Sequence, residues 1–189
     1  MSRTPRYDVP KAAPQPLRIV QEFINTVDLE HEREWLARPA DLLAWGRERG
    51  LIDSAAKGVG PAGLARALEV REALRALIRA NNLGAPVSEA REVLEAAAIR
   101  ARFTIDFESG TPALVSRAHG VDGLLGRILA LTFLAMADGS WARLKGCRNC
   151  KWAFFDESKN RSARWCSMTL CGNRLKTRAY RRRQRATDT

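Results

Sequence analysis

Hydrophobic residues recur at helical spacing through most of the first 137 residues of the chain. This pattern predicts five helices, over 17–29, 40–49, 63–82, 88–101 and 121–137. Two residues support the bounds of the second helix, since Pro39 precedes it and Gly50 follows it. The fifth segment is apolar on nearly every side, which is typical of the central, fully buried helix of a bundle.

The spacing changes after the fourth helix, where Phe103, Ile105 and Phe107 alternate with polar residues. This alternation indicates a half-buried strand, and the turn-forming sequence ESGTP follows it. The next residues, ALVSR, can return antiparallel to the first strand. We therefore expect a mainly α domain over 17–141 that contains one small antiparallel β-hairpin. Residues 1–16 hold four of the eight prolines and are interpreted as a flexible extended arm.

All four cysteines lie in one short C-terminal segment, with the spacing Cys147-x2-Cys150-x15-Cys166-x4-Cys171. Two short-spaced pairs are typical of a structural zinc site, because each pair supplies half of a tetrahedron of thiolates. A redox-active CxxC or two disulfides are the alternatives. The redox interpretation lacks the strand-then-helix setting of a thioredoxin motif and leaves Cys166 and Cys171 without a role.

The sequence around the cysteines predicts a treble-clef-like finger over 142–186. WAFFD and SARWC have strand-like residues around the turn ESKN, and SMTLCGNRLKTRAYRRRQ predicts a helix with Cys171 in its first turn. Gly172 is expected to permit a close backbone approach, and Asn173 to donate to a sulfur or cap the helix. Four thiolates leave no open metal position, and no nucleophile–base pair or phosphate-binding glycine loop is evident, so we do not expect an enzyme.

Charge is concentrated in the same segment. The net charge of the whole chain is +11; residues 145–189 contain thirteen Lys and Arg against three Asp and Glu, and residues 1–144 contain nineteen against eighteen. A near-neutral body with a cationic end piece indicates an anionic partner, and a tail charged only for solubility is the alternative.

Two groups of cations are candidates for nucleic-acid contact. At 100° per residue, Arg174, Arg178, Arg181 and Arg185 share one face of the predicted C-terminal helix, and Lys176 and Arg182 add further cations along the same helix. Lys159, Arg161 and Arg164 form a second basic edge near the hairpin turn. DNA is the favoured partner. RNA remains an alternative, and so does a protein-interaction module with an acidic partner.

The segment NRSARWCSMTLCGNRLKTRAYRRR resembles the CGNR zinc finger, which is named after the residues that stand here at 171–174. FINTVDL and PADLLAWGRERGLI resemble the ABATE domain that usually precedes this finger. The resemblance implies a stress-induced transcriptional regulator that binds DNA through its finger. Because a lone finger discriminates sequences weakly, we also expect a homodimer formed through the helical domain.

Two further hypotheses concern the helical domain and the location of the protein. Asn25, Asp28, Trp45 and Arg71 could line a ligand pocket, although buried polar groups on helices more often satisfy one another. The longest apolar run, over 128–137, is too short to span a bilayer, and the first residues contain no apolar stretch typical of a signal peptide. We therefore expect a soluble, cytoplasmic protein with no membrane partner.

Overall fold

Helices form most of the architecture in the computed structural model, which describes residues 11–52, 58–84, 86–107, 112–173, Thr177 and Gln184. The helices are α1 Leu17–Ile24, α2 Pro39–Glu48, α3 Pro61–Leu83, α4 Ser88–Ala101 and α5 Gly120–Ala137. A 3₁₀ turn spans Ser140–Arg143, and a π-helical turn spans Met168–Gly172. The predicted mainly α fold is confirmed.

The local sequence determines most of the helix ends. Pro39 opens α2, where a proline costs no hydrogen bond. Gly84 ends α3 in the left-handed conformation, with φ at 64°. The first helix is shorter than predicted. It stops at Ile24, where Thr26 Oγ1 donates a hydrogen bond to Phe23 O at 2.8 Å. The side chain of Asn25, directly after the helix, bonds to Ala153 instead of facing solvent.

The strands form three small antiparallel pairs in the described part of the chain. They are β1 Val27–Asp28 with β2 Arg33–Glu34, β3 Phe103–Asp106 with β4 Ala113–Ser116, and β5 Leu144–Gly146 with β6 Ala153–Phe155. The β3–β4 pair is the predicted hairpin. The β1–β2 pair was not predicted, because two residues per strand are too few to show an alternating pattern.

The hydrophobic core lies between α1, α3 and the N-terminal half of α5. Phe23, Leu74, Leu124 and Ile128 are each completely or almost completely buried there. Gly126 allows α5 to approach the hairpin, since a methyl group at this position would lie 2.4 Å from Ser116 Oγ. Helix α5 is therefore the central helix of the domain, as predicted.

The prediction that α5 is fully buried is wrong for its C-terminal half. Phe133, Leu134 and Met136 are 55%, 42% and 45% exposed. The whole helix is 18 residues long with a mean hydropathy of 1.5, so it meets the length and composition of a membrane span. Because half of it is buried against α1, α3, α4 and β4, we interpret it as a core helix.

The hairpin β3–β4 also buries less than its alternation predicted. Phe103 is half-buried, but Ile105 and Phe107 are 56% and 71% exposed. The hairpin packs on α5 through β4 instead. The alternating pattern therefore predicted the strand correctly but overestimated how much of its apolar face the domain covers.

The helical domain and the finger share one core, so no gap separates them near residue 141. Leu144 in β5 and Ala153 in β6 are both 0% exposed and belong to the same hydrophobic cluster as Phe23. Strand β5 packs on α3, and β6 packs on α1. The hairpin that carries the first cysteine pair is therefore anchored in the helical domain.

Candidate metal centre and nucleic-acid interface

The first cysteine pair sits in the turn that joins β5 to β6. Cys147 follows β5 directly, and its N–H donates to Trp152 O at 2.9 Å. Lys151 N donates back to Cys147 O at 3.1 Å, with Lys151 in the left-handed region at φ 65°. This tight turn brings Cys147 and Cys150 to the same side of the hairpin.

The second pair flanks a π-helical turn. Ser167 caps the turn by accepting a hydrogen bond from Leu170 N, and Cys171 N donates to Ser167 O at 3.0 Å. Cys166 precedes the cap and Cys171 lies near the end of the turn. The compact helical backbone between Cys166 and Cys171 brings the two thiols closer together than an extended backbone of the same length would.

The four sulfur atoms form one compact cluster, with all Sγ atoms within 4.8 Å of one another. Cys150 Sγ lies 3.6 Å from Cys166 Sγ, which lies 3.6 Å from Cys171 Sγ. Sulfurs bound to zinc at 2.3 Å in a tetrahedron would be about 3.8 Å apart. Cys147, Cys166 and Cys171 are buried and Cys150 is partly buried, which fits a closed structural site.

Hydrogen bonding within the cluster favours the thiolate form at Cys147, whereas hydrogen bonds to Cys147 raise the pKa of the Cys150 and Cys166 thiols. Hydrogen bonds from Cys150 and Cys166 lower the pKa of the Cys147 thiol, against the opposing effect of burial. Asn149 Nδ2 lies 3.6 Å from Cys171 Sγ, within hydrogen-bond distance for sulfur. The predicted sulfur donor, Asn173, is instead exposed, so the amide next to the metal centre comes from the first cysteine pair.

Gly172 is buried, and a methyl group there would lie 2.9 Å from Met168 Sδ. The close approach that the sequence predicted at Gly172 is therefore made by a side chain, not by backbone.

Strand β6 was predicted to pair with residues 162–166, but it has a different partner in the structure. Strand β6 pairs with β5, through Leu144 with Phe155 and Gly146 with Ala153, and residues 162–166 form no strand. A backbone hydrogen bond, from Arg148 N to Arg164 O at 3.1 Å, ties the latter segment to the first cysteine pair. The pairing prediction failed because 144–146 lies before the cysteines, in a stretch too short for a strand pattern.

A buried ion pair organises the loop between the two cysteine pairs. Asp156 is 0% exposed and accepts hydrogen bonds from Lys145 Nζ at 2.8 Å and from Ala163 N at 2.9 Å. It also accepts from the N–H and hydroxyl of Ser158, at 3.0 and 2.6 Å. Burial alone would raise the pKa of Asp156, but these hydrogen bonds outweigh it and lower the pKa to about 2.

Two buried amides of α1 bind the finger hairpin to the helical domain. Asn25 Nδ2 donates to Ala153 O at 2.9 Å, and Asn25 Oδ1 accepts from Ala153 N at 2.8 Å. Gln21 Nε2 donates to the same carbonyl at 3.0 Å. Asn25, directly after α1, is only 3% exposed. Its side chain therefore satisfies backbone groups of β6 that a neighbouring strand would otherwise bind.

Helix α3 supplies a second set of contacts to the finger. Asn81 Nδ2 donates to Leu144 O at 3.0 Å, and Arg75 donates to Lys151 O at 3.3 Å and to Ile24 O. Arg75 is 4% exposed, and burial lowers the pKa of its guanidinium. The backbone of the cysteine turn is thus fixed by the helical domain.

Residues 11–16 are ordered against the finger, although the prolines of 1–16 predict a flexible arm; residues 1–10 lie outside the described residues. Lys11 O accepts from Phe155 N at 2.8 Å, and Lys11 Nζ donates to Trp165 O at 2.9 Å. The ammonium also lies 4.9 Å from the centre of the Phe154 ring. The finger therefore holds this segment in place. The sequence of residues 11–16 does not predict these contacts, because their partners lie more than 140 residues away.

The four residues predicted as a ligand pocket make structural contacts in the described part of the chain. Asn25 bonds to the finger. Arg71 makes a bidentate pair with Glu34 at 2.7 and 2.8 Å. Asp28 accepts from His31 Nδ1 at 2.7 Å, and Trp45 packs on Phe23 with ring centres 5.3 Å apart. These polar groups satisfy structural needs, apart from the buried Trp45 Nε1, which has no hydrogen-bond partner in the described residues.

A groove of about 270 Å³ lies elsewhere, between α3, α4 and α5. Val70, Val93 and Leu125 contribute apolar lining, and the Arg66–Asp122 ion pair, with Nε and Oδ1 3.2 Å apart, contributes polar lining. No single residue pattern in the sequence points to this groove, because its walls come from three helices.

The predicted nucleic-acid residues divide into two groups. Lys159, Arg161 and Arg164 are exposed, and in the described part of the chain their side chains contact no carboxylate. The backbone carbonyls of Arg161 and Arg164 are held by Lys145 and Arg148. The other six, Arg174, Lys176, Arg178, Arg181, Arg182 and Arg185, lie outside the described residues.

A mainly α domain whose core is shared with a four-cysteine module defines a zinc-finger protein with a helical N-terminal domain. Two families match this chain: ABATE, described as "Putative stress-induced transcription regulator", over residues 17–139, and the CGNR zinc finger over residues 143–184. The chain belongs to the ABATE family and carries a C-terminal CGNR zinc finger. Its four clustered cysteines are the zinc site. A comparison with the curated proteins finds no match.

Proposed function

We propose that the protein is a DNA-binding transcription regulator, in which zinc stabilises the finger and the helical domain acts as a sensor or dimerisation unit. The observation that carries this proposal is the exposed cationic edge formed by Lys159, Arg161 and Arg164. These side chains lie in a segment that contains thirteen basic and three acidic residues. Exposed cations without carboxylate partners favour phosphate contact, because they release counterions when they bind nucleic acid.

The description of the ABATE family supports DNA over the other anionic partners. RNA and an acidic protein surface fit the charge equally well, so they become outcomes of the experiment. We propose that the zinc site is structural and that the protein is not an enzyme, because four thiolates complete a tetrahedral zinc shell and leave no position for water or substrate. A cytoplasmic location is part of the same proposal, since reduced thiols are needed for zinc.

The decisive experiment compares two double variants that remove the same charge. Arg161→Gln with Arg164→Gln alters the cationic edge, whereas Arg91→Gln with Arg100→Gln alters exposed arginines of α4. The first pair should weaken duplex binding and reduce the slope of log K against log salt by about 0.9 for each lost phosphate contact. Equal binding by the two variants would refute the proposed interface. Tighter binding to structured RNA than to duplex would move the proposal to RNA.

We also propose that the helical domain forms a homodimer. The exposed apolar side chains in the C-terminal half of α5, Phe133, Leu134 and Met136, support it. Analytical ultracentrifugation of the zinc-loaded protein should show a dimer that Phe133→Ser weakens. A monomer at all concentrations, alone and on DNA, would refute it.

A further inference from the structure

Two large apolar side chains project from the finger, whereas the large aromatic side chain at its centre is covered. Met168 and Leu170 are each 49% exposed, and Phe154 in the same module is 1% exposed. Both exposed residues belong to the π-helical turn that carries Cys171, and we call them the apolar tip. A module this small normally buries its few large apolar side chains to gain stability. The apolar tip therefore calls for an explanation other than the core.

The turn that presents the apolar tip is held at both ends. Cys166 precedes it and Cys171 closes it, so zinc fixes both flanks. Ser167 accepts from Leu170 N, and its hydroxyl lies 2.9 Å from Thr169 Oγ1. Gly172 leaves room for the Met168 thioether, which a larger residue would displace. A rigid turn of this kind loses little conformational entropy when its side chains contact a partner.

The sequence segment that contains the apolar tip carries charge of one sign. No Asp or Glu occurs from Ser158 to Thr187. Lys159, Arg161 and Arg164 precede the tip and are exposed, and the arginine-rich segment follows it directly. An exposed apolar contact in the same finger as an exposed cationic edge is complementary to a surface that offers both apolar groups and phosphates.

We propose that Met168 and Leu170 read thymine in duplex DNA by contacting its C5-methyl group in the major groove. This inference rests on the proposed DNA-binding function. The thymine methyl is the feature of a base edge that an aliphatic side chain recognises, and the cationic edge of Lys159, Arg161 and Arg164 places the turn by binding phosphates. The apolar tip thus supplies sequence preference, while the cationic edge supplies affinity.

The test removes the methyl group from the DNA and the apolar side chain from the protein. The full-length, zinc-loaded chain first selects a preferred site from a random duplex pool. Each thymine of that site is then replaced by uracil, which lacks only the methyl group. Wild type should lose about fourfold in affinity for each contacted methyl. The Met168→Ser and Leu170→Ser variants should bind the thymine and uracil sites equally at the contacted positions.

Two controls separate recognition from folding and from charge. Ile99→Ser removes a 78% exposed apolar side chain of α4 and should retain the full thymine preference. Zinc content and the unfolding temperature of each tip variant should match those of wild type. The slope of binding against salt should also stay unchanged, because the variants remove no charge.

The outcomes distinguish this inference from the proposed function. If wild type binds DNA and the tip variants keep the same thymine-to-uracil ratio, the inference is wrong and the DNA-binding proposal stands. DNA binding without any sequence preference would likewise overturn the inference alone. If wild type fails to bind duplex DNA, or binds anionic lipid vesicles in preference to it, both proposals fail together.

Discussion

Replacing Asp156 by Asn should destabilise the finger strongly, even though the two side chains have nearly the same shape. Asp156 is completely buried and accepts four hydrogen bonds, one of them from the Lys145 ammonium. An amide can accept at only one of its two terminal atoms, so the other would face donors that have no acceptor. The substitution also leaves the buried Lys145 charge without its counterion.

The size of the effect follows from the pKa of Asp156, which is lowered from 3.8 to about 2. Because each tenfold change in the acid constant is worth about 1.4 kcal/mol, ionised Asp156 contributes about 2 kcal/mol to stability at neutral pH. Breaking a buried ion pair costs about 3–5 kcal/mol when one charge stays behind. We therefore expect Asp156→Asn to cost about 2–4 kcal/mol, and to weaken zinc binding by up to about 700-fold where that stability is coupled to the metal.

Urea unfolding of the zinc-loaded protein and chelator competition for zinc measure the two effects. Glu157→Gln is the matched control, because it removes the same charge from the exposed neighbouring residue. Adding Lys145→Met to Asp156→Asn should recover part of the loss, since it removes the unpaired ammonium. A cost below about 1 kcal/mol, or equal costs for the Asp156 and Glu157 variants, would refute the reasoning.

The sign of the pH dependence provides a second check on Asp156. A carboxyl whose folded pKa is depressed contributes its full stability above the unfolded pKa, near 3.8, and loses it as the pH falls through about 2. The difference in unfolding free energy between wild type and Asp156→Asn should therefore be equal at pH 7 and pH 5. A difference that has already halved at pH 5 would contradict the assignment.

Three further substitutions test the zinc centre and its connection to the helical domain. Metal analysis should find one zinc ion per chain. Cys171→Ser should lower the zinc affinity and the unfolding temperature, while most of the helical circular dichroism remains. Complete loss of the helical signal would contradict this prediction. Asn25→Ala should cost about 1–3 kcal/mol in urea unfolding, because it removes the side-chain acceptor of the Ala153 N–H, while Gln21 still donates to the Ala153 C=O; the exposed Asn173→Ala should cost almost nothing. Lys151→Gly should stabilise the protein in thermal unfolding by up to about 1 kcal/mol, since Lys151 adopts φ 65° and only glycine does so without strain; a clear loss of stability would contradict this.

The zinc site could be predicted from the sequence because its determinants are local. Two close cysteine pairs, each carried by a tight turn, identify the zinc ligands by their spacing alone, although the helical domain fixes the backbone of the first turn. The helix positions follow in the same way from periodicity and from end residues such as Pro39 and Gly84. Charge asymmetry is likewise a property of composition, independent of how the chain folds.

The roles of the polar residues in the helical domain could not be predicted. The sequence indicates Asn25 and Arg71 as candidates for a ligand pocket. In the structure Asn25 bonds to Ala153, 128 residues away, and Arg71 bonds to Glu34. A buried amide that binds backbone and one that binds a ligand give the same sequence signal, because both are polar residues in an apolar pattern.

The sequence by itself determined the helices, the four zinc ligands and the cationic character of the C-terminal segment. Tertiary structure decided that β6 pairs with β5, that residues 11–16 lie against the finger, and that the finger and the helical domain share one core. The physical reason is the range of the interactions. Side-chain periodicity and ligand spacing act over a few residues, whereas backbone N–H and C=O groups are alike at almost every position, so only folding decides which distant group satisfies them.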